Sequence, residues 1–377
     1  MSEMSGPVLI VIGTRPDTIK LIPLYQTLLQ LNINTLLCST GQHAELTHDL
    51  IALFQIRPDF DFHIMKPGQD LFDSTTAVLK RAKKLFQKIK PSLVIVQGDT
   101  TTAMSAAMAA FYLKIPVAHV EAGLRTNNIS RPFPEEMNRR FITLVASFHF
   151  APTQMAAQQL FDEGVDPDRV FCTGNTVVDA LYQIIKLIDE RKLLVSAHIQ
   201  NLFASLKNKK IVLLTAHRRE SFSEGLQHIF CAMKTALKND PHLHIIFPKH
   251  PNPAIQRALT KTRLDHIENM HVIEPLPYQD LVYTLMNVDG IATDSGGIQE
   301  EGISLQIPVV ILREETDRPE GVENGLAILA GTNEEMIVSA LSCIQKRKNR
   351  RSGYGESPYG DGTACEQIAC IIKTRCL

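Results

Sequence analysis

The stretch Val8-Leu9-Ile10-Val11-Ile12-Gly13-Thr14-Arg15-Pro16 decides the fold of this chain. Five apolar residues, four of them β-branched, run without a polar interruption and then turn into a polar loop. An amphipathic stretch with helical spacing follows the loop. A short apolar run bounded by a turn and followed by a helical pattern is typical of a buried strand in a βαβ unit.

The same alternation recurs along the chain and restarts after a polar stretch around residues 186–210. At 377 residues the chain is longer than one hydrophobic core usually organises, and its 44% apolar residues suffice for two cores. Strands that alternate with helices indicate parallel sheets. We therefore predict an α/β protein of two doubly wound domains, with further strands at Thr35–Cys38, Leu93–Val96, Val117–Val120, His149–Ala151, Ile211–Thr215, His244–Phe247, His271–Ile273, Gly290–Thr293 and Val309–Leu312.

Composition excludes several classes of protein. The net charge is −1 and the basic residues are spread along the chain, apart from a run at 346–351, so no nucleic-acid binding is expected. The first apolar run is too short for a signal peptide, and no apolar segment reaches eighteen residues. The seven cysteines include no C-x-x-C pair. We expect a cytoplasmic protein with reduced thiols, no membrane contact, no metal site and no cofactor.

Polar residues follow almost every predicted strand. In open α/β sheets, ligands bind outside the carboxyl ends of the strands, so these residues are the candidates for a site. Both halves of the chain carry such residues, and we expect them to line one cleft between the two domains. The segments are Gly13-Thr14-Arg15-Pro16, Gln97-Gly98-Asp99, Glu121-Ala122-Gly123, His217-Arg218, Lys249-His250 and Asp294-Ser295-Gly296-Gly297.

Two segments have features of phosphate sites. The first turn lacks the G-x-G-x-x-G pattern, which disfavours NAD, but Arg15 and Lys20 still offer cationic donors to a phosphate, or are simply solvated. The turn Ser295-Gly296-Gly297 is more specific, because two glycines allow close backbone approach and the following helix presents unpaired N–H groups. Glu301, expected in the first turn of that helix, either binds ribose hydroxyls or favours the helix dipole.

Three carboxylates are candidates for acid–base chemistry. Asp99 and Glu121 follow buried-looking strands, and Glu135 opens a helix behind Pro134. Arg139 lies four residues after Glu135, either as an ordinary surface ion pair or as the charge that keeps a catalytic carboxylate ionised. His217 and His250 at strand ends are each compatible with a structural or a functional role. No metal-ligand spacing and no G-x-S-x-G elbow occurs.

Taken together, these segments resemble the non-hydrolysing UDP-N-acetylglucosamine 2-epimerase family over nearly the whole chain. The resemblance implies two Rossmann-like domains of glycosyltransferase-B architecture, over residues 1–185 and 186–356, with a C-terminal helix over 357–377 that packs back on the first domain. It also implies a homodimer. The motifs that carry it are Thr40-Gly41-Gln42-His43, Gly98-Asp99-Thr100-Thr101-Thr102, His119-Val120-Glu121-Ala122-Gly123-Leu124-Arg125, Pro134-Glu135-Glu136-Met137-Asn138-Arg139, His217-Arg218-Arg219-Glu220-Ser221, Asp294-Ser295-Gly296-Gly297-Ile298-Gln299-Glu300-Glu301 and Pro358-Tyr359-Gly360-Asp361-Gly362.

Matched position by position, the resemblance assigns roles to individual residues. Asp99, Glu121 and Glu135 match the family's catalytic carboxylates. His217 matches a residue that contacts uridine or diphosphate, and we also count it among the catalytic candidates. Gln42, His43 and Arg218 match part of an allosteric site, although Glu45 stands where some members carry glutamine. Asp17 stands where the family commonly has glutamate. The matched substrate-binding positions are Arg15, Ser295, Gly296, Gly297 and Glu301, with Arg139 and Arg313 as matched arginines that line the cleft. Lys20 and His250 are further substrate-binding candidates, taken from their positions at a helix start and a strand end.

The activity that the resemblance implies is reversible inversion of C2, which interconverts UDP-N-acetylglucosamine and UDP-N-acetylmannosamine for cell-surface polysaccharide synthesis. Three alternatives stay open. A hydrolysing 2-epimerase would release free N-acetylmannosamine and UDP, a retaining glycosyltransferase would share the fold, and a UDP-sugar-binding regulator would need no catalysis. Only the two epimerase reactions give Asp99, Glu121 and Glu135 an obvious role.

Overall fold

The computed structural model describes residues 6–41, 44–66, 68–216, 225–345 and 357–375. Its contacts divide the chain into two compact units. The first unit comprises Met1–Ala180 together with Tyr359–Leu377, and the second comprises Leu181–Pro358. The end of the chain therefore belongs to the same unit as its beginning.

The first unit is built on a seven-stranded parallel sheet with the order β3-β2-β1-β4-β5-β6-β7. Its strands are β1 Val8–Ile12, β2 Thr35–Ser39, β3 Phe60–Asp61, β4 Leu93–Gln97, β5 Val117–Val120, β6 Phe148–Ala151 and β7 Val170–Cys172. Its helices are α1 Arg15–Gln30, α2 Ala44–Leu53, α3 Leu71–Ile89, α4 Thr101–Tyr112, α5 Glu135–Val145, α6 Gln154–Asp162, the first part of α7 Thr176–Asp189, and the C-terminal helix α15 Ala364–Arg375.

The central strand β1 is apolar throughout because helices cover both faces of the sheet. Leu9 and Val11 of β1 join a core with α3 and α4. Val8 and Ile10 point to the opposite face and join a core with α1 and α15. Successive residues of a strand point to opposite faces of the sheet. Because helices cover both faces at β1, the side chains on each face of this strand are buried.

The second unit repeats this plan with a six-stranded parallel sheet of order β10-β9-β8-β11-β12-β13. Its strands are β8 Lys210–Thr215, β9 Leu243–Pro248, β10 Met270–Ile273, β11 Gly290–Thr293, β12 Val309–Ile311 and β13 Ala327–Leu329. Its helices are the remainder of α7, then α8 Ala197–Ser205, α9 Gly225–Asn239, α10 Pro253–Thr262, α11 Tyr278–Asn287, α12 Gly296–Ser304, α13 Glu320–Glu323 and α14 Glu334–Gln345.

All ten predicted strands are present within two residues of their expected bounds, and the α/β class is confirmed. Three short strands, β3, β7 and β13, were not predicted. The polar stretch 186–210 contains the end of α7 and all of α8. Within the described ranges, no helix combines the length and apolarity that a membrane span requires.

Candidate active site

The carboxyl ends of β1, β4 and β5 lie side by side, because these three strands are parallel neighbours in the first sheet. The loop after β1 is fixed by a capping box at the start of α1. Asp17 Oδ2 accepts hydrogen bonds from the backbone N–H groups of Gly13 and Thr14, each at 3.2 Å. This box places Arg15 as the first residue of α1, with a half-buried side chain.

Glu121 lies directly after β5 at the centre of a buried polar cluster. Its Oε2 accepts hydrogen bonds from Gln97 Nε2 at 2.8 Å and Asn175 Nδ2 at 3.2 Å, and it also contacts the Lys20 ammonium. The side chains of Glu121 and Lys20 are each only 5% exposed. Three donors on one oxygen hold the Glu121 carboxylate in a defined orientation.

Lys20 was expected near a phosphate together with Arg15, but the structure places its ammonium against Glu121. Lys20 lies a little more than one helical turn after Arg15 in α1, so the two side chains leave the helix in different directions. The Lys20 side chain reaches Glu121 at the carboxyl end of β5. Lys20 therefore belongs to the carboxylate cluster.

Asp99 follows β4 and is tied to the first turns of α5. Asn138 Nδ2 donates to the Asp99 backbone carbonyl at 2.8 Å, and the Arg139 guanidinium contacts the Asp99 carboxylate. Arg139 Nη1 also lies 3.6 Å from Glu136 Oε2. Arg139 thus contacts carboxylates of two elements, Asp99 after β4 and Glu136 of α5. Its pairing with Glu135, suggested by the sequence spacing, stays a prediction. The same helix begins at Glu135, which is half-buried.

Two buried titratable groups support the loop that carries Asp99. Burial raises the pKa of Asp17 to about 7, and the nearby Asp99 carboxylate adds a smaller upward effect. Burial lowers the pKa of His119 to about 4, so its ring is neutral near pH 7, and Nε2–H donates to the Gly98 carbonyl at 2.7 Å. Thr100 Oγ1 donates to Asp17 Oδ2 at 3.4 Å, which links the loops after β1 and β4.

In the second unit, the glycine turn lies at the start of α12, as expected. Ser295 is the N-cap residue, and its backbone N–H donates to Thr293 Oγ1 at 2.9 Å. Gly297 has open space where a Cβ would lie. A Cβ on Gly296 would instead come within 2.5 Å of the Arg318 guanidinium. The missing side chain of Gly297 thus leaves space beside the N-terminus of α12, and the missing side chain of Gly296 leaves space for Arg318.

The acidic residues of α12 bind neighbouring side chains. Because the helix begins at Gly296, Glu300 and Glu301 lie in its second turn, and the expectation of the first turn was wrong. Tyr278 Oη donates to Glu301 Oε1 at 2.8 Å, and Arg318 Nε donates to Glu300 Oε1 at 2.7 Å. Both carboxylates are buried.

The remaining candidates of the second unit lie on two further loops. Arg313, after β12, is 5% exposed and its Nη1 lies 3.5 Å from Asp317 Oδ1, an oxygen that also pairs with Arg318. His250, after β9, is exposed, and its Nδ1 accepts from the Asn252 backbone N–H at 3.2 Å. His217, Gln42, His43 and Arg218 lie outside the described residues. No group of three or more metal-ligating side chains is found within the described part of the chain.

Several members of these clusters had no role assigned from the sequence. Gln97 and Asn175 hold Glu121, and Glu136 contacts Arg139. Tyr278 and Arg318 hold the acidic residues of α12. The position of Gln97 could have been recognised from the sequence, because it is the one polar residue at the end of an otherwise apolar strand. The position of Asn175 could not, because the strand before it, β7, was not predicted.

Two doubly wound parallel units, one with clustered carboxylates and one with a glycine turn at a helix start, define an α/β protein of the glycosyltransferase-B class. The family model for UDP-N-acetylglucosamine 2-epimerase matches residues 28–373. The chain is 42% identical to the UDP-N-acetylglucosamine 2-epimerase of Campylobacter jejuni over 98% of both chains. It is 40% identical to that of Escherichia coli K12, over 97% of this chain and 98% of that protein. The chain therefore belongs to the UDP-N-acetylglucosamine 2-epimerase family.

Solved structures agree with this assignment. The chain is similar to the UDP-GlcNAc 2-epimerase of Neisseria meningitidis bound to UDP-GlcNAc, with a TM-score of 0.89, 37% identity and coverage of 98% of this chain and 100% of that one. It is also similar to the Methanocaldococcus jannaschii enzyme in complex with UDP-GlcNAc and UDP, with a TM-score of 0.85, 33% identity and coverage of 97% and 99%.

Proposed function

We propose that this protein interconverts UDP-N-acetylglucosamine and UDP-N-acetylmannosamine by inverting C2 of the sugar, without net hydrolysis. The observation that carries the proposal is the buried cluster at the carboxyl ends of β4 and β5. There Glu121 is oriented by Lys20, Gln97 and Asn175, and Asp99 by Arg139. Oriented carboxylates beside one another suit a reaction that removes and returns a proton.

The C2 proton is not adjacent to a carbonyl group, so a base alone does not remove it near neutral pH. Departure of UDP from C1 supplies the missing driving force. The C2–H bond breaks, its electron pair forms the C1–C2 double bond, and the C1–O pair leaves with UDP. In the return step the double bond takes a proton on the opposite face of C2 and UDP adds again to C1. Inversion thus needs acid–base groups on both faces, and Asp99, Glu121, Glu135 and His217 are the candidates.

The departing diphosphate is an anion and is stabilised by hydrogen-bond donors. The start of α12, with Ser295, Gly296 and Gly297, presents backbone N–H groups and the positive end of the helix dipole, which favour an anion there. Arg15 at the start of α1 offers a second charged donor. Arg313, His250 and Glu301 complete the proposed nucleotide-binding set. We propose that the diphosphate binds at the start of α12 and that the carboxylates act on the sugar.

The main alternative is a hydrolysing epimerase, in which water captures the intermediate. Incubation with UDP-N-acetylglucosamine followed by chromatographic separation of the products decides between them. We expect UDP-N-acetylmannosamine at equilibrium with the substrate. Free N-acetylmannosamine with a matching amount of UDP would favour the hydrolase, and unchanged substrate would favour a binding protein without catalysis.

We also propose a cytoplasmic homodimer that supplies cell-surface polysaccharide synthesis. Large apolar side chains on two adjacent helices support the dimer. Phe111 and Tyr112 at the end of α4 are 52% and 71% exposed, and Leu144 near the end of α5 is 83% exposed. Exposed apolar residues that lie together are typical of subunit contacts. Sedimentation equilibrium of the parent and of Leu144→Glu tests this, since the variant should shift towards monomer.

Substrate activation would require a second binding site for the UDP-sugar. Gln42, His43 and Arg218 are the residues assigned to it, and Glu45 replaces the glutamine of some relatives. We propose that activation is weak or absent here. Conversion of pure UDP-N-acetylmannosamine at a normal rate supports this. An inert reaction that starts only after a trace of UDP-N-acetylglucosamine is added contradicts it.

A further inference from the structure

The end of the chain lies behind the carboxylate cluster. The turn Gly174-Asn175 follows β7 and leads into α7, and the Asn175 backbone N–H donates to the Tyr359 carbonyl at 2.8 Å. Tyr359 is fully buried. A Cβ on Gly174 would lie 3.1 Å from the Tyr359 carbonyl oxygen and 3.3 Å from Gly360 Cα. The two backbone segments are therefore in direct contact.

The Asn175 side chain has both ends fixed. Its Oδ1 accepts from the Val177 backbone N–H at 3.2 Å, which turns Nδ2 towards Glu121 Oε2 at 3.2 Å. Because the carbonyl end is held by the first turn of α7, the amide does not flip without losing both hydrogen bonds. The position of the Gly174-Asn175 turn therefore sets the position of one of the three donors on Glu121.

The C-terminal segment, residues 359–375, is itself anchored. The Cys365 backbone N–H at the start of α15 donates to Asp179 Oδ1 of α7 at 2.8 Å. Asp361 Oδ1 accepts from both the backbone N–H and the hydroxyl of Thr363, which orders the loop before α15. Ile368 and Ile372 pack into the same core as β1. This segment thus forms a rigid support for the turn.

We propose that the C-terminal segment positions Glu121 for proton transfer, acting through the Gly174-Asn175 turn, with Asn175 as the positioning residue. The proposal rests on the catalytic role proposed above for Glu121. A displaced turn would withdraw one donor from Glu121 and rotate its carboxylate. A small displacement of a reacting group is enough to lower a rate by about 100-fold.

Two glycines form a matched pair that tests the backbone contact. Gly174 and Gly164 have nearly equal positive φ values of +84° and +83°, but Gly164 has nothing within 4 Å of the position of a Cβ. Gly174→Ala and Gly164→Ala therefore carry the same backbone strain, and only the first pushes Tyr359 away. We expect Gly174→Ala to lower kcat about 10-fold to 100-fold, with parental affinity for UDP, and Gly164→Ala to keep the parental kcat.

Asn175→Ala and Asn175→Asp test the side chain without introducing a backbone clash. Both remove the donor to Glu121, so kcat should fall over the same range while KM changes little, and the pH–rate profile should move to higher pH. Each kcat is expressed per folded molecule from circular dichroism. A parental kcat and pH profile in folded Asn175→Ala overturns the proposal, and so does a parental kcat in folded Gly174→Ala.

Glu121→Gln separates this proposal from the proposed function. If Glu121→Gln turns over like the parent, the catalytic role of Glu121 fails, whatever the Asn175 variants do. If Glu121→Gln is inactive and folded Asn175→Ala is fully active, only the positioning role fails.

Discussion

Asp17 shows how burial changes the pKa of a single carboxyl group. Its carboxyl is 2% exposed, and burial raises its pKa to about 7 from 3.8. A carboxyl whose pKa is higher in the folded state binds more protons there than in the unfolded chain. Its contribution to stability is therefore complete below about pH 4 and is lost as the pH rises to about 7.

Asp17→Asn removes this titration and keeps the acceptor for Gly13 and Thr14. We expect the free energy of unfolding of the parent, relative to the variant, to fall by on the order of 4 kcal/mol between pH 4 and pH 7, with no further fall above pH 7. Urea unfolding of both proteins at several pH values measures the difference, in which other titrating groups cancel. A difference that does not change with pH would show that the Asp17 pKa is normal.

The three carboxylates make a second prediction at the scale of residues. Asp99→Asn, Glu121→Gln and Glu135→Gln each remove one acid–base group and should lower turnover by about 10²–10⁴-fold. All three should still bind UDP, because the diphosphate donors proposed on α12 are untouched. Turnover and calorimetric UDP affinity are the measurements. Turnover within a few-fold of the parent in all three variants would make these carboxylates structural.

The sequence indicated which residue types lie at the site but not their partners. Asp99 and Glu121 were found because the end of a parallel strand is a known ligand position. That Lys20 reaches Glu121 depends on how α1 packs against the sheet, which no local pattern contains. Asn175 depends on a contact with Tyr359, which is 184 residues away in the chain.

At the scale of elements, the apolar runs were sufficient to locate the buried strands. The central strand β1 is apolar at every position, and β4 at every position except its last residue, because both faces are covered. The edge strand β3 has only two residues and β13 only three, so neither has enough length for a pattern. The start of α12 at the glycine turn was predicted, but Glu301 was expected in the first turn of the helix and lies in the second.

The start of α12 also provides a matched pair of substitutions. Gly296→Ala would displace the Arg318 guanidinium and weaken its hydrogen bond to the buried Glu300, which should cost about 1–3 kcal/mol of stability. Gly297→Ala meets no neighbour and should stabilise the fold by about 0.4–1 kcal/mol. Urea unfolding of the two variants compares them directly. Equal changes of stability would show that Arg318 adapts without cost.

At the scale of the whole molecule, the residues proposed for the chemistry belong to two units with the same plan. The first unit contains Asp99, Glu121 and Glu135, and the second contains the turn at Ser295–Gly297. The return of the chain into the first unit, through α15, packs this C-terminal helix on the same core as β1. The sequence predicted the repeat of the sheet plan because the strand–helix alternation starts twice.

The central claim is that a proton leaves C2 and a different proton returns to its opposite face. Proton NMR of the reaction with UDP-N-acetylglucosamine in deuterated water tests it most directly. We predict UDP-N-acetylmannosamine that carries deuterium at C2, followed by deuterium at C2 of the remaining substrate as the reaction reverses. Epimerised UDP-sugar that retains its original C2 proton would contradict this account.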